Sequence, residues 1–231
     1  MVSEKNSIFK ESNKSKYQLE KIVRMTKLTM LVLSRQLAAG DFEPSFFEKS
    51  FGERDNLETL NIELKNNAKM YLRGKIDRVD TYVDEDKTLV KIIDYKTGNM
   101  KWELDMPFYG RALQLVIYLD AVMEQLTKEG KEVLPAAFFY YHIDSPFLTR
   151  DEAKKENAFL SKLKPMGIVN TDFNIIKHLD KSIETSSDVI PVMLKKDGSI
   201  SKTSIVASTK RIELLRKYVK QKVKNTAENI L

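Results

Sequence analysis

Three residues in the middle of the chain have the types and spacing of a metal-dependent hydrolytic site: Asp77, Asp94 and Lys96. Asp94 and Lys96 are two positions apart in a strand-like segment, so their side chains leave the same face. Asp77 lies 17 positions before Asp94 (94 minus 77), on the preceding strand of a predicted hairpin. Pairing within that hairpin is expected to bring the two carboxylates together.

The chemistry expected of these residues is phosphodiester hydrolysis. Two converging carboxylates make a site for a hard divalent cation, Mg²⁺ or Mn²⁺, and the backbone carbonyl of Tyr95 is a candidate further ligand. The cation polarises a phosphoryl group and makes water more acidic, while the ammonium of Lys96 neutralises charge growing on the phosphate. An isolated Asp-x-Lys pair is more often a solvated ion pair. The abrupt end of the apolar run 89–93 at Asp94 favours a site.

Further polar and aromatic residues are candidates for contacts with nucleic acid. Gln114 and Tyr118 are four apart, hence on one helix face, where a glutamine can contact a phosphate or a base edge and a tyrosine can stack or donate a hydrogen bond. Taken alone, the spacing favours an ordinary pair at the core edge. Gly74 is expected to let a nucleic-acid backbone approach closely. Trp102 and Tyr109 either stack on bases or pack as part of a lid.

Other titratable residues are interpreted as structural. Arg78 and Asp80 are expected to pair on the face opposite the first aspartate. His142 is predicted to be a core or edge histidine rather than a ligand, and His178 a surface residue. Glu48, in the first predicted strand, is expected to face solvent rather than a metal.

The segments that must position these residues form an α/β pattern with a central sheet of mixed direction, flanked by helices. Helices are predicted at 16–39, 108–129, 151–163, 172–179 and 207–227, and strands at 46–51, 60–64, 70–80, 89–96, 135–143 and 187–193. Turns are expected at 66–67 and 84–86, and Gly98 is expected to close the strand that carries Asp94. The strand at 135–143 is expected to be central because its apolar run is continuous.

The composition bounds the class of protein. The chain has 231 residues, of which 42% are hydrophobic, and fits one domain with a catalytic core at about 42–145 and an extension at about 146–231. It contains no cysteine, which excludes disulfides and cysteine-ligated zinc or iron–sulfur sites within it. No run approaches the roughly 18 apolar residues of a membrane span, and residues 1–16 lack the apolar core of a signal peptide. A cytoplasmic protein without a membrane partner is expected.

The charge balance fits a polyanionic partner. The formal net charge is +6 and the sequence pI is about 9.2, which suits nucleic acid but also an ordinary lysine-rich surface. The last predicted helix carries several cations that form either a solvated face or a surface that tracks DNA. These cations are Lys210, Arg211, Arg216, Lys217, Lys220, Lys222 and Lys224.

Three segments together resemble the RecB-like branch of the PD-(D/E)XK nucleases. Residues 74–80 follow G-x-x-D-R-x-D, residues 94–98 follow D-Y-K-[ST]-G, and residues 114–118 follow Q-x-x-x-Y. Within that branch the chain is most similar to the C-terminal nuclease domains of the AddB group, which agree also at 33–44 and 188–199. The resemblance covers nearly the whole chain and implies the restriction-endonuclease-like fold.

The resemblance also implies an activity and partners. Members process double-stranded DNA ends for recombinational repair as AddAB-type helicase–nucleases, in which the AddB nuclease degrades one unwound single strand beside an AddA-type helicase subunit. By motif match, the resemblance implies that Asp77 and Asp94 are metal ligands and that Lys96 is the catalytic lysine. It also implies that Gln114 and Tyr118 are accessory residues of the site. A catalytically impaired module that binds DNA or a partner subunit, and a RecB-like nuclease outside the AddB group, remain alternatives.

Two departures from the family pattern bear on activity. RecB-like nucleases carry a histidine ligand upstream of the strands, whereas both histidines here lie downstream. The full-length family also binds an iron–sulfur cluster through cysteines, which this chain lacks. The chain is therefore expected to be a fragment that lacks the upstream histidine motif and the cysteine segment. Its nuclease activity is expected to be weak or undetectable.

Overall fold

A computed structural model describes residues 12–52, 61–65, 68–97, 106–107, 109–110, 112–154 and 158–230. The helices are α1 (Asn13–Ala39), α2 (Leu113–Lys128), α3 (Ala158–Lys162), α4 (Phe173–Leu179) and α5 (Thr209–Glu228), and a 3₁₀ turn lies at Glu152–Lys154. The strands are β1 (Glu43–Phe51), β2 (Asn61–Glu63), β3 (Lys69–Tyr71), β4 (Gly74–Asp84), β5 (Lys87–Lys96), β6 (Glu132–His142), β7 (Met166–Asn170) and β8 (Val206–Ala207).

Six strands form the central sheet in the order β1-β4-β5-β6-β7-β8. The pairs β5–β6 and β7–β8 are parallel, and the other three are antiparallel. The parallel β5–β6 pair requires a crossover, which α2 supplies. The predicted α/β class with a mixed sheet is confirmed, and β6 lies inside the sheet as its apolar run predicted.

Alternation along β5 decides which side of the sheet each residue serves. Val90 and Ile92 enter the core beneath α2 and α5, called here the front core. Leu89 and Ile93 enter the core beneath α1 and α4, called here the back core. Asp94 and Lys96 continue the even-numbered series, so they belong to the front, under α2.

The chain after residue 146 completes the same sheet. β7 pairs with β6, and β8 pairs with β7. Buried Asn170 joins the layers, because its Nδ2 donates to the Pro135 carbonyl at 2.8 Å and to Thr209 Oγ1 at 2.9 Å. In the part of the chain that is described, no helix combines the length and the apolar character needed to cross a membrane.

The junction of α1 and β1 is held against α4. A Cβ on Gly40 would lie 2.4 Å from the His178 carbonyl oxygen, so only glycine fits there. The His178 carbonyl accepts the backbone N–H of Asp41 at 2.8 Å, and the His178 ring lies 2.9 Å from the Asp41 carboxylate and 4.3 Å from the ring centre of Tyr82. The prediction of a surface His178 is therefore wrong, because this ring is half-buried between two elements.

Several predicted segments differ from the structure. The single strand at 70–80 is two strands: β3 pairs with β2 in a separate hairpin, and β4 enters the central sheet. The helix at 151–163 is a 3₁₀ turn followed by the short α3. The second long helix begins at Leu113 rather than at 108, because Gly110 and Ala112 adopt left-handed turn conformations before it. The predicted turn at 66–67 and Gly98 lie outside the described residues.

The strand predicted at 187–193 is absent from the described residues there. Only an isolated bridge joins Ser186 and Met193. The hydroxyl of Ser187 accepts the N–H groups of Val189 and Ile190, a local turn that competes with strand pairing. The sheet edge is formed instead by β8, a two-residue strand.

Candidate active site

The site lies where β4 and β5 diverge. Their backbone pairing ends at Arg78 and Ile93, and Asp77 and Asp94 occupy the next position in the register. The N–H of Tyr95 donates to Asp77 Oδ2 at 2.7 Å, so a carboxylate replaces the missing ladder bond. In a regular strand the N–H and C=O of one residue point to the same side, so the Tyr95 carbonyl is expected to face β4 as its N–H does.

Asp94 is a buried anion with a cation beside it. The residue is 2% exposed, and its Oδ2 lies 2.6 Å from Lys96 Nζ in an ion pair that falls short of regular hydrogen-bond geometry. Burial raises the pKa of Asp94; Lys96 opposes that rise, and the nearby charge of Asp77 adds to it. A further cation between the two carboxylates would offset both unfavourable effects.

Lys96 is oriented by contacts from several elements. Its Nζ donates to Gln114 Oε1 at 3.1 Å, and Gln114 Nε2 donates to the Tyr118 hydroxyl at 2.7 Å. The ammonium also lies 5.4 Å from the ring centre of Tyr140. The Lys96 side chain is still 32% exposed, so its charge is accessible from solvent. The structure thus joins Asp94, Lys96, Gln114 and Tyr118 in one line of contacts.

Tyr118 supports this line from within the core. It is 6% exposed and packs edge-on against Phe51, with ring centres 5.7 Å apart. Its buried ring offers no face to a nucleic-acid base, so its contribution is the hydroxyl that holds Gln114.

Gly74 serves packing rather than ligand approach. A Cβ at this position would lie 2.5 Å from Phe51 Cε1 and 3.1 Å from Tyr118 Cε1. Phe51 is its partner across the β1–β4 pair. The expectation that this glycine makes room for a nucleic-acid backbone is wrong, because two aromatic rings occupy the space.

Two residues of β6 share the front face with the site. In the parallel β5–β6 register, Tyr140 is the partner of Asp94, and His142 is the partner of Lys96. Tyr140 is buried in the front core, and burial followed by the charge of Asp94 raises the pKa of its hydroxyl. Sequence reasoning missed Tyr140, because only the strand register reveals its position. His142 is half-buried at the strand end, on the site face rather than in the core interior.

A buried ionic cluster lies behind the site. Arg78 donates through Nε and Nη2 to the two oxygens of Asp80, both at 2.6 Å, and Lys91 reaches Asp80 at 2.8 Å. The predicted pairing of Arg78 with Asp80 is confirmed. Arg78 Nη1 also donates to the Tyr95 hydroxyl at 3.4 Å, so the cluster contacts the residue between Asp94 and Lys96.

Glu48 faces solvent, as expected. It lies between Phe47 and Lys49, which pair with Arg78 and Ile76, and its left-handed backbone (φ 51°) interrupts the regular strand. Its carboxylate forms an ion pair with Lys75, and its side chain is 62% exposed.

The predicted basic surface of α5 is partly a structural interface. Arg216 and Lys220 lie 2.6 Å and 2.9 Å from the carboxylate of Asp120 on α2, which is 3% exposed. These two cations join α5 to α2. Tyr109, before α2, is 76% exposed. Trp102 lies outside the described residues.

Carboxylates and a carbonyl are the donors available for a metal. Within the described ranges, no group of three or more histidine, cysteine, aspartate or glutamate side chains is arranged to hold one. The carboxylate oxygens of Asp77 and Asp94 are the type of ligand that Mg²⁺ and Mn²⁺ prefer.

The chain is similar in sequence to known proteins. The sequence model of the PD-(D/E)XK nuclease superfamily matches residues 2–231. Curated AddB proteins, each named as a subunit of an ATP-dependent helicase/deoxyribonuclease, are similar to the chain. Identity is 39% over 230 residues for Thermoanaerobacter sp. (strain X514), covering 97% of this chain. It is 40% over 232 residues for Clostridium tetani, covering 98%, and 34% over 232 residues for Clostridioides difficile, covering 97%. The chain spans about a fifth of the length of these relatives (20% in each case).

Proposed function

Because the chain belongs to the PD-(D/E)XK nuclease superfamily, we propose that it is a metal-dependent deoxyribonuclease domain with its active site at Asp77, Asp94 and Lys96. The observation that carries the proposal is the 2.6 Å ion pair between Lys96 and buried Asp94, beside a second carboxylate where two strands diverge. A lysine and two carboxylates in this arrangement suit phosphodiester hydrolysis.

The proposed cofactor is Mg²⁺ or Mn²⁺, held by Asp77, Asp94 and the Tyr95 carbonyl. Mg²⁺ commonly binds proteins through one or two carboxylates and keeps several waters, which suits a site with two acidic side chains. The raised pKa of Asp94, caused by burial and by the charge of Asp77, supports a site that favours a cation. When bound, the cation supplies Lewis acidity to the phosphoryl group and to water.

Lys96 stabilises the charge that develops on the phosphate. Its ammonium is held between Asp94 and Gln114, so it does not have to be ordered during the reaction. Gln114 and Tyr118 act as accessory residues, because their hydrogen bond keeps the Gln114 carbonyl pointed at the ammonium.

The biological setting proposed is that of the relatives. We assign the chain to an AddAB-type helicase–nuclease, in which it degrades one unwound single strand of DNA as an exonuclease during recombinational repair. An AddA-type helicase subunit is the expected partner, and the cytoplasm the expected compartment. Similarity to an AddB protein over 97% of the chain supports this assignment.

The exposed side chain of Tyr109 supports a role in stacking on a base of the substrate strand.

We also propose that 1–231 works as one domain. The predicted core at 42–145 contributes four strands to the central sheet: β1, β4, β5 and β6. The extension at 146–231 contributes β7 and β8 to the same sheet. A boundary at 146 would cut through strand pairing, which supports one cooperative unit.

The test is cleavage of end-labelled DNA by the purified chain in excess over substrate. We expect slow shortening of a single-stranded oligonucleotide that requires Mg²⁺ or Mn²⁺, because the proposed site has two side-chain ligands among the described residues. Asp94→Asn, which keeps the shape but removes the charge, should abolish it. Asp86→Asn, in the exposed turn at the other end of the same hairpin, is the matched control and should cleave like the wild type.

Two results would contradict the proposal. Cleavage that persists in Asp94→Asn would mean that another site or another protein is responsible. DNA binding without any metal-dependent cleavage, and without Mn²⁺-induced thermal stabilisation that Asp77→Ala removes, would favour a module that binds DNA or a partner subunit.

A further inference from the structure

Tyr95, the residue between Asp94 and Lys96 on β5, is contacted from the back face of the sheet. Tyr95 points backward, away from Asp94 and Lys96, and its ring packs edge-on against buried Tyr141 with centres 5.9 Å apart. Its hydroxyl accepts a hydrogen bond from Arg78 Nη1 at 3.4 Å. Its backbone N–H meanwhile donates to Asp77. Tyr95 is thus held at both ends, one on each side of the sheet.

Arg78 is itself fixed in one orientation. Its Nε and Nη2 form a two-pronged bond to Asp80, which is 0% exposed, and this leaves Nη1 directed at Tyr95. A planar guanidinium bound in this way has little freedom to rotate. Lys91 Nζ lies 2.8 Å from Asp80 Oδ2, which Arg78 Nη2 also contacts, and 5.1 Å from the ring centre of Phe42. Nothing in the proposed chemistry uses these buried charges directly.

We propose that Arg78 is a positioning residue for the metal site and acts through the side chain of Tyr95. By fixing the Tyr95 ring from behind, Arg78 fixes the backbone at the point where the strands part. That backbone orients the Asp77 carboxylate through the Tyr95 N–H and aims the Tyr95 carbonyl at the same place. The inference rests on the proposed function, since it assigns these oxygens to a cation.

Outer residues that orient metal ligands change affinity about 10–100-fold when they are altered. The link here includes one long hydrogen bond, so a smaller effect, roughly 3–10-fold weaker binding of Mn²⁺, is expected for Tyr95→Phe. This substitution removes only the hydroxyl and keeps the ring against Tyr141. Arg78→Lys should weaken Mn²⁺ binding by a similar factor. The double variant should bind no more weakly than each single variant, because the two substitutions break the same contact.

The experiment is a Mn²⁺ titration of each purified variant, in which electron paramagnetic resonance measures the free ion. Hydrogen exchange of the backbone amide at position 95 is measured separately, without metal. Tyr82→Phe is the matched control: it makes the same change on the back face of β4, beside His178 rather than Arg78. It should leave Mn²⁺ affinity unchanged. A purely structural role for Arg78 would lower the melting temperature without changing Mn²⁺ affinity or Tyr95 exchange.

Suppose that a folded Tyr95→Phe variant binds Mn²⁺ as tightly as the wild type does, while Asp94→Asn loses binding. That result would overturn this inference and leave the proposed function standing. If the wild type binds no Mn²⁺ at this site, the proposed function fails instead, and amide exchange then decides the positioning role. Faster exchange of the Tyr95 amide in Tyr95→Phe supports it, and unchanged exchange overturns it. If Arg78→Lys does not fold, Tyr95→Phe alone decides between these outcomes.

Discussion

Adding one methyl group at Gly74 should destabilise the protein, because the space above this residue is filled. The new Cβ would lie 2.5 Å and 2.6 Å from two ring atoms of Phe51, whereas carbon atoms in contact are about 3.5–4.0 Å apart. Phe51 is 2% exposed and backed by Tyr118, so its ring must shift by roughly 1 Å within a packed core.

Overpacking of this kind costs about 1–3 kcal/mol, and two close contacts place Gly74→Ala near the upper end. Replacing glycine within a strand returns about 0.5–1 kcal/mol of backbone entropy. We therefore expect a net loss of roughly 2 kcal/mol in the free energy of unfolding. For a chain of this size that lowers the melting temperature by about 4–8 °C.

Urea unfolding followed by circular dichroism measures this loss. Phe51→Leu should relieve the clash, so the double variant should be less destabilised than the sum of the two single variants, by about 1 kcal/mol. A Gly74→Ala protein within about 0.5 kcal/mol of the wild type, the usual range for surface changes, would refute the packing role of this glycine.

Other predictions concern charge and close approach. Burial raises the pKa of Asp94, and the cation needs the ionised carboxylate, so Mn²⁺ binding should fall as the pH drops through that pKa. Lys96 lowers the pKa of Asp94, so Lys96→Gln should move the fall to higher pH in a binding titration. Asp120→Ala removes the carboxylate that Arg216 and Lys220 share and should cost about 1–3 kcal/mol, because both cations keep partial access to solvent. Urea unfolding measures this loss, and a loss below about 0.5 kcal/mol, the usual range for surface changes, would contradict the interface. Gly40→Ala should lower the melting temperature, because its Cβ would meet a backbone carbonyl at 2.4 Å; an unchanged value would contradict the packing.

Much of the site is readable from the sequence because it depends on local periodicity. A two-residue spacing on a strand puts Asp94 and Lys96 on one face, and a four-residue spacing on a helix puts Gln114 above Tyr118. The structure adds that these pairs touch each other, with Lys96 donating to Gln114 at 3.1 Å. The pairing of Arg78 with Asp80 also followed from strand alternation.

The parts that sequence reasoning missed depend on contacts between distant segments. Tyr140 lies under Lys96 only because β6 joins β5 in a particular parallel register. The space above Gly74 is taken by Phe51 from β1, so the first glycine of the motif gave a misleading signal. The short edge strand β8 carries too few residues for a periodic pattern, whereas the apolar run at 187–193 suggested a strand that local turns replace.

The central claim is that a divalent cation binds between Asp77 and Asp94, and Fe²⁺-directed cleavage of the protein backbone tests it most directly. Fe²⁺ substituted at a Mg²⁺ site generates hydroxyl radicals with ascorbate and peroxide, which cut the chain close to the bound ion. Fragments should end near Asp77 and Asp94, disappear when Mg²⁺ is added in excess, and be absent from the Asp94→Asn variant. Cuts elsewhere in the chain, or cuts that neither Mg²⁺ nor that substitution suppresses, would contradict the account.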